Sequence, residues 1–524
     1  MRMKKRTAAR SMAALMGAAM VLTACGGGNT TAPTTGASSG GETQTASESA
    51  ESGKITKTDI VVGQASDIVT LDPAGQQDTT SGVLMKHAYS TLLDVDNEGE
   101  VVPDLAESYE MKSDTEYVFK LREDACFWDG TPVTAQDVKF SLDRAKGMPK
   151  TKSNTSKIEE VTVNGDHEVT IKLTEPYAAF KTIVTQHNLS ILSEKAVTEA
   201  GDSYGDVDNL LGSGPFKVTE WVPNDHYTLV RNDNYWGEMP IATSITCRVI
   251  PEGSARTIAL EAGEIDVVWS VDPTDCANVE SNPDVKLLSQ PSTGIDYVGM
   301  NTQKEKFSDK RVRQAINYAL DKQTFVDTII EGRGLVANSY INAAIPGGTD
   351  EVEAYPYDPE KAKELLAEAG YPDGFECSIF VNGDLRTRSA QILQAQLADV
   401  GIKVDISTYE WGALLDTLNA GEHEMFLLGW SNTSFDPDGS TYQLFYSGNH
   451  GATGNRAFFS NDKVDELILS AQRESEESKR MELYKELQFV LHDESPWCPL
   501  YYKENNVGVR ADLKGFTLHA GAQH

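Results

Sequence analysis

The chain has 524 residues, of which 46 are basic and 79 acidic, giving a formal charge of −33 at neutral pH. So acidic a surface offers no basic face for a phosphate backbone, which argues against nucleic-acid binding, and it is repelled by anionic lipid headgroups. The length exceeds the ~250–300 residues at which a single core stops growing, so two or more lobes with a cleft between them are expected.

The chain opens with Arg2, Lys4, Lys5, Arg6 and Arg10, followed by an uncharged, mostly apolar stretch over residues 11–22. That is the layout of an export signal. The apolar run is about half of the roughly 20 residues a membrane span needs. Leu22-Thr23-Ala24-Cys25 closes it and resembles a bacterial lipobox. Residues 1–24 are therefore expected to be a lipoprotein signal peptide and Cys25 the lipidation site. The mature chain would carry a charge of −38, because the five basic residues leave with the signal. Two or more acyl chains on Cys25 would hold it stably on the outer face of the cytoplasmic membrane. This is the cell surface in a Gram-positive-type cell and the periplasmic side otherwise. Residues 25–54 are rich in Gly, Ser and Thr and lack apolar periodicity. They read as a flexible linker with a reach of roughly 30 Å. Gly36-Ala37-Ser38-Ser39-Gly40 matches a nucleophile pattern but lacks the strand and helix that motif requires.

Ile60-Val61-Val62-Gly63 begins the folded part with strand character. Tyr117, Phe119 and Leu121 alternate with polar residues, which is strand periodicity. Thr134 is placed to cap a helix carrying Val138 and Leu142 on one face. Val161-Thr162-Val163 and residues 169–173, separated by Asn164-Gly165-Asp166, predict a β-hairpin. The glycines of Gly212-Ser213-Gly214-Pro215-Phe216 read as turn residues permitting positive φ rather than as a phosphate cradle.

Farther on, Ser308 is expected to cap a helix bearing Val312, Ile316 and Leu320, and Asp358-Pro359 to start another ending at Gly370. Strand, helix, strand, helix and strand then follow over residues 377–381, 387–400, 402–406, 411–420 and 425–428. This alternation predicts an α/β class with a parallel or mixed sheet. Ligands in such sheets sit beyond the carboxyl ends of the strands, where Gly429-Trp430-Ser431-Asn432-Thr433 emerges. Besides Cys25 there are five cysteines, at 126, 247, 276, 377 and 498; none form a C-x-x-C pair, and their disulfide pairing stays open. No zinc, phosphate-loop, calcium-loop or dinucleotide motif is visible, so neither metal nor cofactor is expected.

Four segments, in order, carry a resemblance. They are residues 106–138 with Phe127-Trp128-Asp129-Gly130-Thr131-Pro132; Gly212-Ser213-Gly214-Pro215-Phe216 with residues 231–237; residues 307–321; and Pro496-Trp497-Cys498-Pro499-Leu500-Tyr501-Tyr502. Together they resemble the bacterial extracellular solute-binding proteins of family 5, the binding components of ABC importers for peptides, glutathione or nickel. The resemblance implies a two-lobed periplasmic-binding-protein-like fold (type II, cluster C) with an extra inserted subdomain. Lobe I would comprise residues 55–95, 212–290 and 500–524, the inserted subdomain 96–211, and lobe II 291–499.

It also implies a function without covalent chemistry. The lobes would close on a peptide or peptide-like solute, and the closed form would dock on a membrane permease. The protein would act as a monomer that meets the membrane through its lipid anchor only. Family peptide binders hold the ligand's α-amino group with an Asp three residues after a Gly-Trp pair; here that position is Thr433. A hydroxyl does not replace a carboxylate's charge-assisted bond to an ammonium. Asp436 is the alternative if the loop bends back, although Asp436-Pro437-Asp438-Gly439 also reads as a plain turn. Arg386 or Arg388 would face an anionic ligand group. Trp430, Tyr297, Asn301 and Tyr89 would line the inter-lobe region. A nickel- or metal-chelate binder of the same fold and an extracellular hydrolase are the competing readings.

Overall fold

The β-branched run Asp59–Gln64 forms the organising strand of the first half of the molecule. It lies parallel to Ser244–Val249 on one side and to Val267–Val268 on the other. Antiparallel strands His226–Arg231 and Phe216–Val222 extend that sheet to its edge. The computed structural model describes residues 57–521; the signal segment, Cys25 and the linker lie outside the described residues.

In the second half, Phe375–Val381, Ile402–Thr408 and Met425–Ser431 run parallel, and Gly294–Met300 pairs antiparallel with the last of them. Helices Gly383–Ala398 and Trp411–Asn419 connect the parallel strands, so the sheet is mixed. The expected third strand continues past residue 428, because Gly429, Trp430 and Ser431 pair with Asp296, Ile295 and Gly294.

One strand, Trp497–Arg510, belongs to both halves. Its start pairs with Gly294–Met300, and its end pairs with Val285–Pro291 and Val267–Val268. The chain crosses a second time through Ser292 and Thr293, beside that strand. Both the amide and the hydroxyl of Ser292 donate to the Lys503 carbonyl, at 3.3 and 2.8 Å. Asn342 ties this crossing down by donating to the Ser292 and Gly294 carbonyls, each at 2.9 Å.

A separate four-stranded antiparallel sheet orders Ala106–Ser113, Glu116–Leu121, Glu168–Leu173 and Ile158–Gly165. Tyr117, Phe119 and Leu121 all face its core, as their alternation requires. Thr134 caps helix Ala135–Lys146 in a reciprocal box with Asp137, which satisfies two helix-end donors at once. Asp358 and Pro359 open helix Pro359–Glu368. At the helix Lys310–Ala319 the cap is Asp309, not Ser308: its carboxylate accepts from the Arg311 amide at 2.9 Å, while Ser308 ends the preceding turn.

The Gly212 and Gly214 expectation needs a different reason. Neither has positive φ. A Cβ on Gly212 would sit 2.1 Å from the Ala88 carbonyl oxygen, and one on Gly214 2.6 Å from the His87 carbonyl oxygen. Glycine is required here so that this turn can lie against the end of helix Thr79–Ala88. All five cysteines are free thiols; four are buried and Cys126 is half-buried.

Candidate functional site

A cavity of about 110 Å³ opens where the two halves and the four-stranded unit meet. A water needs roughly 10–15 Å³ by this measure, so the space suits a small polar group rather than a single water. Three walls build it. From the first half come Gln76, Gln77 and Asp78, at the start of helix Thr79–Ala88. From the four-stranded unit comes Gln186-His187-Asn188. From the second half come Tyr297, Trp411, Arg456 and the strand end Gly429-Trp430-Ser431, with Thr433 just beyond.

Side-chain amides close the seam. Gln77 donates to Gln443 at 3.2 Å, Gln443 to Asn154 at 2.5 Å, and Asn154 to Asn188 at 3.1 Å. Thr433 donates its hydroxyl to Gln186 at 3.2 Å, which joins the second half to the four-stranded unit. The Trp430 indole donates to the Gly439 carbonyl at 3.1 Å. Tyr297 is held by stacking nearly parallel on Trp497 and edge-on to Phe426, contacts worth roughly 0.5–1.5 kcal/mol each.

Among the described residues lining the cavity, Asp78 is the only carboxylate and Arg456 the only Lys or Arg. Arg456 is 7 % exposed. Its Nε donates to Asn419 at 3.0 Å, but the two terminal nitrogens have no hydrogen-bond or ion-pair partner among the described residues. Burial lowers its pKa from the ordinary value, an effect opposed by Tyr297 and Asp78. Asp78 caps its helix through Oδ1, which accepts from the Ser81 amide at 3.0 Å. Its Oδ2 and the Trp411 indole nitrogen are both shielded and neither closes a hydrogen bond within 3.5 Å, although the indole faces the carboxylate and helps to hold its charge. Burial raises the Asp78 pKa against the hydrogen bond from Ser81. No ion pair within 4.0 Å joins Asp78 to Arg456 or to Lys150, the lysine whose charge it feels.

The structure brings Trp430, Thr433 and Tyr297 together at this cavity. It does not bring Asp436 there. That carboxylate accepts from Arg480 at 2.5 Å and from the Asp438 amide at 2.9 Å, so it starts the short helical turn Pro437–Ser440. Arg388 instead reaches Asp272 of the first half, at 2.7 and 2.9 Å from its two oxygens. Arg386 donates to Asn382 at 2.8 Å and lies 3.9 Å from Asp296, which Lys503 also meets at 2.9 Å. Asn301 donates to the carbonyls of Gly421 and His423, each at 3.2 Å. Tyr89 is buried, donates to the Leu71 carbonyl at 3.2 Å, and borders a different cavity beside Asp104 and Phe216. Asp78, Trp411 and Arg456 were not singled out by sequence. Asp78 carries an N-cap signature, and nothing around Arg456 marks it.

The family model for bacterial extracellular solute-binding proteins, family 5 middle, matches residues 100–452. The chain belongs to this family. The glutathione-binding protein GsiB of Escherichia coli K12 is 31 % identical over 479 residues, covering 88 % of this chain and 92 % of that protein. The dipeptide-binding protein of the same strain is 30 % identical, covering 81 % and 85 %. Among solved structures, DppA of Helicobacter pylori in complex with the peptide STSA superposes with a TM-score of 0.84. It is 30 % identical, with 87 % of this chain and 95 % of that one covered. AgaA of A. tumefaciens R10 in complex with agropinic acid gives 0.83 at 27 % identity, covering 88 % and 97 %. The two-lobed α/β fold of this solute-binding protein is thus the family's. The family is one of extracellular binding proteins, and among the described residues no helix is long and apolar enough to cross a membrane.

Proposed function

We propose that this chain is the substrate-binding component of an ABC importer, capturing peptides or peptide-like solutes outside the cell and delivering them to a membrane permease. One observation carries this reading: a polar cavity at the seam of both halves, lined by a buried guanidinium whose two terminal nitrogens have no partner among the described residues. An uncompensated buried cation is costly, and an anionic ligand group that closes the lobes around itself removes the cost. The names of relatives that bind glutathione and dipeptides point to solutes of this chemistry.

In this reading Tyr297, Trp430 and Thr433 touch the ligand, while Arg388 acts in closure. Arg386 steadies Asp296, and Asn301 and Tyr89 hold the walls in place. The lobes and inserted subdomain follow the limits given above, and a lipid on Cys25 keeps the monomer near its permease. The ligand leaves unchanged, because closure alone does the work.

Thermal unfolding of the unlipidated protein against di- and tripeptides, glutathione, opines and nickel–histidine tests this. A binder at ~100 times its dissociation constant stabilises the fold by about 2.7 kcal/mol. The expected result is a shift with peptide-like members and recovery of the ligand intact by mass spectrometry. No shift across the whole panel, or recovery of a cleaved ligand, would overturn the reading.

A further inference from the structure

Resting on the capture reading above, we propose that Asp78 and Arg456 are the charge-reading pair of the cavity. Arg456 takes the ligand's carboxylate and Asp78, from the opposite wall, takes its ammonium. The ligand class is then a zwitterion with both ends free.

Three observations support this. First, the cavity holds one carboxylate and one guanidinium, and they do not pair with each other. In a protein interior such groups attract and normally meet; here the cavity lies between the halves that carry them. Second, the atoms that remain unmatched are the useful ones. Asp78 spends Oδ1 on its helix and keeps Oδ2 without a partner. Arg456 spends Nε on Asn419 and keeps its two terminal nitrogens, the fork that suits a carboxylate. The Trp411 indole faces the Asp78 carboxylate without closing a hydrogen bond within 3.5 Å, so it helps to hold that charge at the cavity. Third, Thr433 and Asp436 leave no other carboxylate for an ammonium. Thr433 is neutral and bonded to Gln186, and Asp436 is held by Arg480. The cationic end of a ligand therefore has one acceptor of matching charge, on the first half, and its anionic end has one donor of matching charge, on the second. A molecule with both charges bridges the seam, whereas one with a single charge leaves its opposite wall unpaired.

Calorimetry with Ala-Ala, N-acetyl-Ala-Ala and Ala-Ala-amide separates the two ends. The wild type is expected to bind each capped peptide roughly 10- to 100-fold more weakly than Ala-Ala, the range for losing a charge-assisted bond. Asp78→Asn keeps the helix cap and should bind Ala-Ala and its N-acetyl form alike while still rejecting the amide. Arg456→Gln should bind Ala-Ala and the amide alike while still rejecting the N-acetyl form. A wild type indifferent to both caps, or variants that keep the full wild-type preferences, would overturn the assignment while leaving the capture reading standing. A wild type that binds no member of this set or of the broader panel overturns both. If a variant does not fold, as read by circular dichroism, the wild-type cap preferences alone decide.

Discussion

Two ion pairs hold the halves of this protein together, and removing them should weaken ligand binding without touching the ligand. Arg388 of the second half meets Asp272 of the first at 2.7 Å, and Arg333 meets Glu280 at 2.7 Å. The acids lie on one half and the bases on the other. Arg388 is 36 % exposed and Glu280 50 %, so water screens each pair and limits it to about 1 kcal/mol. Replacing both arginines by Gln then costs the closed form at most about 2 kcal/mol, roughly a 30-fold shift toward the open form. Binding depends on the closed fraction, so the dissociation constant of the best panel ligand should rise by about 5- to 30-fold, mainly through faster release. Stopped-flow and calorimetry on Arg333→Gln/Arg388→Gln measure this. Raising the salt should weaken the wild type toward the variant and leave the variant nearly unchanged. A variant that binds within twofold of the wild type at low salt would refute the closing role of these pairs.

Two further outcomes are expected. Asp436→Asn removes the buried Arg480's direct ion pair and leaves Asp438 as its remaining nearby acid, so it should destabilise the fold by about 1.5–3 kcal/mol in denaturant unfolding, with ligand affinity within threefold of wild type; unchanged stability with lost affinity would make Asp436 a ligand group after all. Burial pushes the His423 pKa down to about 4, against a hydrogen bond to the Arg456 carbonyl. The unfolded chain protonates this histidine near pH 6.5 and the folded chain only near 4. Its contribution of about 3 kcal/mol is therefore complete above pH 6.5 and lost as the pH falls to 4. The stability gap between wild type and His423→Gln should narrow over that window; parallel profiles would refute it.

Local rules made much of the fold legible. Period-two alternation at Tyr117, Phe119 and Leu121, the Thr134 cap and the Asp358-Pro359 start each depend on near neighbours in the chain, and each element formed where those neighbours put it. The Gly212 turn was legible as glycine but not in its cause, because the obstruction is Ala88, more than a hundred residues away. The site divides the same way. Trp430 and Thr433 follow from the position of a strand end. Asp436 and Arg388 could not be placed, because their charges are spent on Arg480 and Asp272, distant in sequence and adjacent only after packing. Arg456 had no signature, since its importance lies in partners it lacks.

The strand Trp497–Arg510 is an inner strand, one place from the edge, in the sheets of both halves, and among the described residues every other strand precedes it in the sequence. During synthesis neither half can finish its sheet until this segment emerges, so both are left open at the same place until then. A nascent chain halted before Trp497 would therefore expose the edges of two unfinished sheets at once.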